Sequence, residues 1–209
     1  MEMILLLELL GTCAFSLAGS LMAIQCGLDI FGVIFCGAIT ASGGGILRDI
    51  TLGNIPPVFF TDKIYFIFSL ITSLIVFLLA YTNSFYQKVE EYDKVINIVD
   101  AIGLGTFTLV GVHIVIESAF GDNMFLAVMM GMITGCGGGL LRDLLISRIP
   151  TILRKRVYAL ASIIGAIIYY LLLQLTDARI AIVAGFLSIF LIRYCAYRYK
   201  WNLPVVKRQ

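Results

Sequence analysis

Hydrophobic residues in this chain gather into seven long runs, and short polar or proline-containing segments separate the runs. They cover residues 3–24, 30–47, 63–82, 96–117, 124–141, 157–175 and 179–197. About 20 consecutive apolar residues are enough for a helix to cross the hydrocarbon core of a bilayer. All 4 prolines lie between or beyond the runs, where they interrupt no helix. The pattern predicts an all-α, polytopic membrane protein with seven transmembrane helices, called spans 1–7 below.

Composition points to the lipid bilayer as the surroundings of this chain. Of the 209 residues, 60% are hydrophobic and only 13% are charged, and the mean hydropathy is +1.00. A soluble domain needs roughly twice that share of charged residues to cover its surface. The net charge of +2 gives no reason to expect a nucleic-acid partner, and the scattered cysteines and single histidine predict no metal site or cofactor. We expect one transmembrane domain over residues 1–209.

The basic residues are distributed unequally between the two sides of the predicted membrane domain. The side with the span 1–2, 3–4 and 5–6 connections and the C-terminus carries 12 Lys and Arg residues, and the other side carries 3. Cytoplasmic segments are enriched in Lys and Arg. The chain is therefore expected in the cell (inner) membrane with its N-terminus external and its C-terminus cytoplasmic. Arg193 and Arg198 are expected to extend from the end of span 7 to the interface.

An internal repeat divides the chain into two halves. The segment GGGILRD at residues 43–49 recurs as GGGLLRD at residues 137–143, an offset of 94 residues. The same offset aligns Gly11-Thr12 with Gly105-Thr106 and Gly19 with His113. Each half holds three spans, residues about 3–82 and 96–175, and residues 179–197 form an extra helix. Because three is odd, the second half enters the membrane inverted, as in many transport proteins.

Each triple glycine allows two interpretations. Glycine permits close packing of membrane helices. It also weakens a helix by about 1 kcal/mol per residue relative to alanine, so that the helix could bend or unwind. Backbone opened in this way is tolerated at membrane depth only beside protein or water. Recurrence at matching positions of spans 2 and 5 favours paired kinks that line a pathway, at these residues: Gly43, Gly44, Gly45, Gly137, Gly138 and Gly139.

Polar residues beside the glycines are further candidates for lining or gating a pathway. The pairs Arg48-Asp49 and Arg142-Asp143 either anchor a helix end at the interface or form a charged vestibule at each mouth. Hydroxyls before the glycines could coordinate a partly dehydrated cation or bond back to their own helix; they belong to Thr40, Ser42 and Thr134.

Spans 1 and 4 carry stripes of small and polar residues that could line a wet pathway or form ordinary interhelical hydrogen bonds. A carboxylate within a span, such as Glu8, must face protein or water. A single histidine in a span is more often a hydrogen-bonded packing residue than a proton relay. The stripe candidates are Glu8, Thr12, Thr106 and His113.

Residues 27–57 and 131–159, with their paired GGG-x-L-R-D motifs, make the chain similar to the prokaryotic trimeric intracellular cation (TRIC) channel family, which includes bacterial glycine-transporter-like membrane proteins. The resemblance extends over about residues 5–195. It implies a 3+3+1 helix plan, a homotrimer in the lipid bilayer, and one pore per protomer beside spans 2 and 5, kinked at the glycines. It also implies conduction of K+ and Na+. Two departures from the family's pattern, Gln25-Cys26 and Arg156, change the charge expected near the cytoplasmic mouth.

Three functions are compatible with these observations. The first is a monovalent cation channel, and the second is a secondary transporter of a small solute such as glycine. The third is a membrane scaffold without transport. No catalytic motif is present in the sequence, so an enzyme is not expected. No lone, deeply buried Asp or Lys stands out as a proton-coupling site, which favours the channel.

Overall fold

A computed structural model describes residues 2–82, 89–154 and 157–201. Within these residues seven helices are long and apolar enough to cross a membrane. They are α1 Glu2–Gln25, α2 Ile30–Leu52, α4 Lys63–Thr82, α5 Val89–Ile116, α6 Met124–Leu145, α8 Tyr158–Leu175 and α9 Ala178–Arg198; two short helices are α3 Val58–Thr61 and α7 Thr151–Arg154. The prediction of an all-α fold with seven spanning helices is confirmed.

Side-chain caps start several helices where the apolar runs begin. The carboxylate of Asp29 accepts a hydrogen bond from the Gly32 N–H of α2, and the amide oxygen of Asn123 accepts one from Leu126 of α6. The end of α2 is fixed by Gly53, whose φ of 78° is open to glycine without strain. Because α2 reaches Leu52 and α6 reaches Leu145, both Arg-Asp pairs lie inside their helices, beyond the predicted helix ends.

Four helices form the centre of the bundle. The pairs α1–α2, α1–α5, α2–α6 and α5–α6 make the most extensive contacts. Outside this centre, α4 packs on α1 and α2, and α8 packs on α5 and α6. The helix α9 packs on α5 and α8, so it lies against the second half of the chain. The helices of the two halves therefore make similar contacts, and within the described residues α9 has no counterpart in the first half.

Hydroxyl pairs join the outer helices to the centre at matching places. Ser16 Oγ of α1 lies 2.9 Å from Ser73 Oγ and donates to the Ser69 carbonyl of α4 at 2.8 Å. In the second half, Thr108 Oγ1 of α5 lies 2.7 Å from Ser162 Oγ of α8. Such interhelical hydrogen bonds supply specificity where lipid gives no hydrophobic drive for helix association.

The structure corrects the predicted alignment of α1 with α5. A Cβ on Gly11 would contact Phe107, and a Cβ on Gly103 would overlap Phe15; the two rings stack with centroids 5.4 Å apart. These reciprocal contacts make Phe15 and Phe107 equivalent, an offset of 92 residues. Thr12 is therefore not the mate of Thr106. The α5–α6 connection is longer than the α1–α2 connection, and no fixed offset spans both.

The same correction changes the partners of Gly19. A Cβ on Gly19 would overlap Thr40, whereas a Cβ on Gly111 would lie 2.5 Å from Thr134 Oγ1. Gly19 is thus equivalent to Gly111, and the predicted pairing with His113 is wrong. At the new offset Glu8 matches Asp100, a carboxylate that the sequence comparison did not select.

Candidate functional site

Two cavities lie at opposite ends of the helix bundle. The small cavity, of about 40 Å³, is lined near the start of α1 and the end of α2 by Glu8, Thr12, Ser42, Gly45, Arg48, Asp49 and Tyr65, among others. The large cavity has a volume of about 370 Å³ and is lined by the end of α1, the start of α5 and the end of α6. Its lining includes the polar residues Gln25, Asp93, Asn97, Asp100, Arg142, Asp143 and Arg148. Glu8 and Gln25 are about 25 Å apart along α1, at a rise of 1.5 Å per residue.

Between the cavities, α2 and α6 cross at the triple glycines. A Cβ on Gly44 would overlap the carbonyl oxygen of Thr134, and a Cβ on Gly138 would overlap the carbonyl oxygen of Thr40. The backbones meet directly, so any side chain at either position would force the two helices apart. These reciprocal contacts form what we call the glycine crossing, defined by Thr40, Gly44, Thr134 and Gly138.

The expected interruption of the two helices is not observed. Both triple glycines lie within continuous helix, α2 over Ile30–Leu52 and α6 over Met124–Leu145. The carbonyls of Thr40 and Thr134 meet the opposite helix instead of an open cavity. Close approach of the backbones, with Cα–H groups directed at carbonyl oxygens, explains the glycines at 44 and 138. A bend within the continuous helices, and a pore beside them, stay predictions.

The hydroxyl candidates on α2 and α6 bond within their own helices. Thr40 Oγ1 donates to the Cys36 carbonyl at 2.6 Å, and Thr134 Oγ1 donates to the Met130 carbonyl at 2.6 Å. Ser42 Oγ donates to the Ala38 carbonyl at 2.7 Å. Hydroxyls bonded to the carbonyl four residues earlier often bend a helix slightly. Thr40 and Thr134 are buried at the crossing, and Ser42 lines the small cavity.

At the small cavity, a carboxylate of α1 is bonded to a tyrosine of α4. Tyr65 Oη donates to Glu8 Oε2 at 2.6 Å. Beside them Arg48 donates through Nε to Asp49 Oδ1 at 2.8 Å, and Asp49 Oδ2 accepts the Val58 N–H of α3 at 3.0 Å. The Arg-Asp pair is therefore a neutralised unit that also ties the following segment to the end of α2.

The large cavity has an equivalent group with different partners. Arg142 donates through Nε to Asp143 Oδ1 at 2.9 Å and through Nη1 to Asp100 Oδ1 at 3.3 Å. Asp143 Oδ2 accepts the Thr151 N–H of α7 at 2.6 Å. Asp100 matches Glu8 in position, yet it bonds arginine where Glu8 bonds tyrosine. Each pair thus ties down the following segment and lines a cavity; anchoring at the membrane interface and gating of a pathway stay predictions.

Arg193 does not reach the interface as predicted. It is 5% exposed, and its Nη2 lies 3.5 Å from Asp100 Oδ2. Its guanidinium carbon lies 4.4 Å from the centroid of the Tyr158 ring, a cation–π contact. The side chain points inward because a carboxylate and an aromatic face are available there, whereas Arg198 is exposed.

The remaining predicted residues are distributed through the bundle. Thr12 lines the small cavity. Thr106 is buried against Gly11 and donates to the carbonyl of Gly103 at 3.0 Å. His113 lies 3.2 Å from Tyr169 Oη and 3.1 Å from Glu117, as a hydrogen-bonded residue between α5 and α8.

The departures from the family's pattern fall at the large cavity or outside the described residues. The amide of Gln25 donates to Asp93 Oδ1 at 3.3 Å at the cavity wall. Arg156 lies outside the residues that the structure describes.

Formal charge at both cavities favours cations. The small cavity is lined by two carboxylates, Glu8 and Asp49, and one guanidinium, which gives −1. The large cavity has three carboxylates against Arg142 and Arg148, which also gives −1. Acidic walls in a low-dielectric surrounding concentrate counter-ions.

Sequence reasoning missed three residues of this site: Asp100, Tyr158 and Arg193. Asp100 could have been found by allowing a gap in the repeat, which aligns it with Glu8. Tyr158 was visible as the repeat mate of Tyr65, although one tyrosine pair in a membrane protein is not distinctive. Arg193 gave no signal, because an arginine at the end of a span most often reaches water.

Comparison with known proteins identifies relatives over nearly the whole chain. A family model described as "Glycine transporter" matches residues 5–81 and 97–174, the two halves. The UPF0126 inner membrane protein YadS of Escherichia coli K12 is 34% identical over 201 residues, 95% of this chain and 93% of the relative. Relatives of this kind and seven apolar helices place the chain among multi-pass membrane proteins and outside the enzymes.

Solved structures share the fold. A crystal structure of a prokaryotic TRIC channel in 0.5 M KCl superposes with a TM-score of 0.86 at 34% identity, covering 97% of this chain and 100% of that one. The TRIC trimeric intracellular cation channel orthologue from Rhodobacter sphaeroides gives a TM-score of 0.87 at 30% identity, covering 96% and 100%. Sequence identity and fold similarity to these channels therefore both extend over nearly the whole chain.

Proposed function

Because the chain belongs to the prokaryotic TRIC channel family, we propose that it is a channel for the monovalent cations K+ and Na+ in the cell (inner) membrane. The full-length similarity to solved cation channels is the observation that carries this proposal. The formal charge of −1 among the residues that line each cavity supports it. At the large cavity, Arg193 bonds Asp100 from outside the lining and offsets part of this charge.

The proposed pathway runs within each protomer from the small cavity to the large one, beside α2 and α6. The glycine crossing lies between the cavities and brings the two backbones into contact. Conduction along this route requires α2 and α6 to separate or bend at the crossing. A helix rich in glycine bends at little cost, which supports the crossing as the gate. In this proposal the inverted halves give each mouth the same Arg-Asp unit.

The family and the distribution of basic residues support a proposed assembly and orientation. The Rhodobacter sphaeroides relative is a trimeric channel, and we propose a homotrimer with one pathway per protomer. Basic residues are in excess on the side of the membrane that holds the large cavity and the segment after α9. This excess supports a cytoplasmic C-terminus and an external N-terminus. The small cavity is then external and the large one cytoplasmic.

Planar-bilayer recording of the purified protein under asymmetric KCl tests the proposal. We expect discrete single-channel currents that reverse near the K+ equilibrium potential, and comparable currents when Na+ replaces K+. Currents that reverse at the chloride potential, or none from correctly assembled protein, would contradict it.

A second candidate is a secondary transporter of a small solute such as glycine. The description of the matching family model favours it, and two cavities separated by a packed crossing also suit alternating access. Uptake of labelled glycine by proteoliposomes decides between the two: a transporter gives saturable, concentrative uptake without unitary currents.

A further inference from the structure

The extra helix α9 places the positive charge of Arg193 against the second half of the molecule. α9 packs on α5 and α8, and within the described residues no eighth spanning helix gives the first half a counterpart. Arg193 extends from α9 to the carboxylate of Asp100, which lines the large cavity. Arg193 itself lies behind that carboxylate and lines a small crevice between α5 and α9.

The position of Arg193 coincides with a difference between equivalent residues. In the first half the tyrosine hydroxyl bonds the carboxylate, as Tyr65 bonds Glu8 at 2.6 Å. In the second half the Tyr158 hydroxyl is buried without a hydrogen-bond partner among the described residues. The guanidinium of Arg193 lies between Asp100 and the Tyr158 ring, at 3.5 Å and 4.4 Å. Arg193 thus contacts the Asp100 carboxylate, whereas Tyr65 contacts the equivalent carboxylate of Glu8.

We propose that Arg193 is a positioning residue that holds the Asp100 carboxylate against Arg142 and so limits the cation throughput of the large cavity. The inference rests on the proposed channel function and adds a control element to it. Two guanidinium groups share Asp100, one through each carboxylate oxygen. Its negative charge is therefore largely compensated where a cation would otherwise be attracted. Glu8, by contrast, has the neutral hydroxyl of Tyr65 as its hydrogen-bond partner.

Single-channel K+ conductance of three variants tests the inference. Arg193→Met is expected to raise the conductance by about tenfold at low ionic strength, since uncompensated charge in a low-dielectric cleft concentrates counter-ions by at least that factor. Asp100→Asn is expected to lower it by a similar factor. The double variant is expected within about twofold of wild type, because the two sites act through one interaction.

The effect has an electrostatic signature that a packing role lacks. The gain from Arg193→Met should shrink as the KCl concentration rises, because salt screens the cavity. Arg198→Met is the matched control, with the same charge on the same helix but an exposed side chain, and its conductance should equal wild type. Unchanged or lowered conductance in Arg193→Met, with assembly intact by size-exclusion chromatography, overturns the inference.

Two further outcomes distinguish a wrong role for Arg193 from a wrong channel proposal and from a folding defect. Wild-type protein that carries no cation current overturns the channel proposal, whereas an active wild type with an insensitive Arg193→Met overturns only the role of Arg193. If Arg193→Met does not accumulate, Asp100→Asn is compared with the charge-balanced double variant. The double variant should then conduct about tenfold more than Asp100→Asn, and equal conductance contradicts the inference.

Discussion

The two cavities of this protein are lined by residues at equivalent positions, but these residues are bonded differently. At the small cavity the acid of the first helix bonds Tyr65, and Arg48 bonds its own neighbour Asp49. At the large cavity the equivalent acid, Asp100, joins Arg142 and Arg193 in one buried network. The acid at the large cavity has the shorter side chain, and one of its two arginine partners comes from the extra helix. Equivalent positions in one helix bundle can therefore differ in their electrostatics.

The large cavity therefore contains the more extensive buried ionic network. Arg142 is 1% exposed and contacts two carboxylates, whereas Arg48 directly bonds one. Breaking a buried ionic network leaves uncompensated charge in a low-dielectric surrounding. Removal of one partner should therefore cost more in the second half than at the matched position in the first half.

The largest effect is expected from removing the central arginine. Arg142→Met should lower stability by about 3–5 kcal/mol, because Asp100 and Asp143 lose a shared buried partner. Thermal denaturation in detergent, followed by size-exclusion chromatography, measures the loss. Arg48→Met is the matched control and should cost less. Equal losses would contradict the proposed difference between the mouths.

The glycine crossing should respond equally from both sides. Gly44→Ala and Gly138→Ala each place a methyl group on an opposing carbonyl, and such overpacking costs about 1–3 kcal/mol. Gly45→Ala is the control, because its nearest outside atom is 3.7 Å from the new Cβ. Alanine there should raise stability by up to about 1 kcal/mol through helix propensity.

Current recordings extend this comparison to function. Because a side chain at either position forces the two helices apart, we expect Gly44→Ala and Gly138→Ala to raise open probability, while Gly45→Ala conducts like wild type. Wild-type currents from correctly assembled Gly44→Leu would show that the crossing is not the gate.

The tyrosine pair should give a smaller and asymmetric effect. Tyr65→Phe removes a hydrogen bond to Glu8 and should cost about 1 kcal/mol. Tyr158→Phe removes a buried hydroxyl that has no partner among the described residues, and it should be neutral or stabilising. The shift in denaturation midpoint of each variant measures the difference. Similar losses in both variants would place an unseen partner on Tyr158.

The smallest effect is expected from the hydroxyls at the crossing. Thr40→Val and Thr134→Val keep the side-chain shape and remove a bond to the same helix, so stability should change by less than about 1 kcal/mol. Conductance should also stay at the wild-type value. A several-fold drop in conductance at either position would instead favour direct contact of the hydroxyl with a permeant cation.

Part of the site could be predicted from the polarity of single residues within the apolar spans. The Arg-Asp pairs, Glu8, Thr12 and Ser42 were selected because charged or polar groups within apolar spans need protein or water beside them, and all line a cavity. Asp100 escaped the fixed repeat offset, since the connection before α6 is longer than that before α2. The sequence favoured a kink at each triple glycine, whereas the structure has continuous helix and close backbone contact there, because glycine suits either arrangement.

What the sequence determined by itself was the seven spans and the family, because span length and characteristic motifs are properties of the chain read in order. Tertiary structure alone decided that the glycines form a helix crossing, that Arg193 turns inward, and that Asp100 replaces Glu8 at the second mouth. These depend on which backbones and charges meet across helices distant in sequence. Each of those contacts is stable only where its partner supplies the space or the opposite charge.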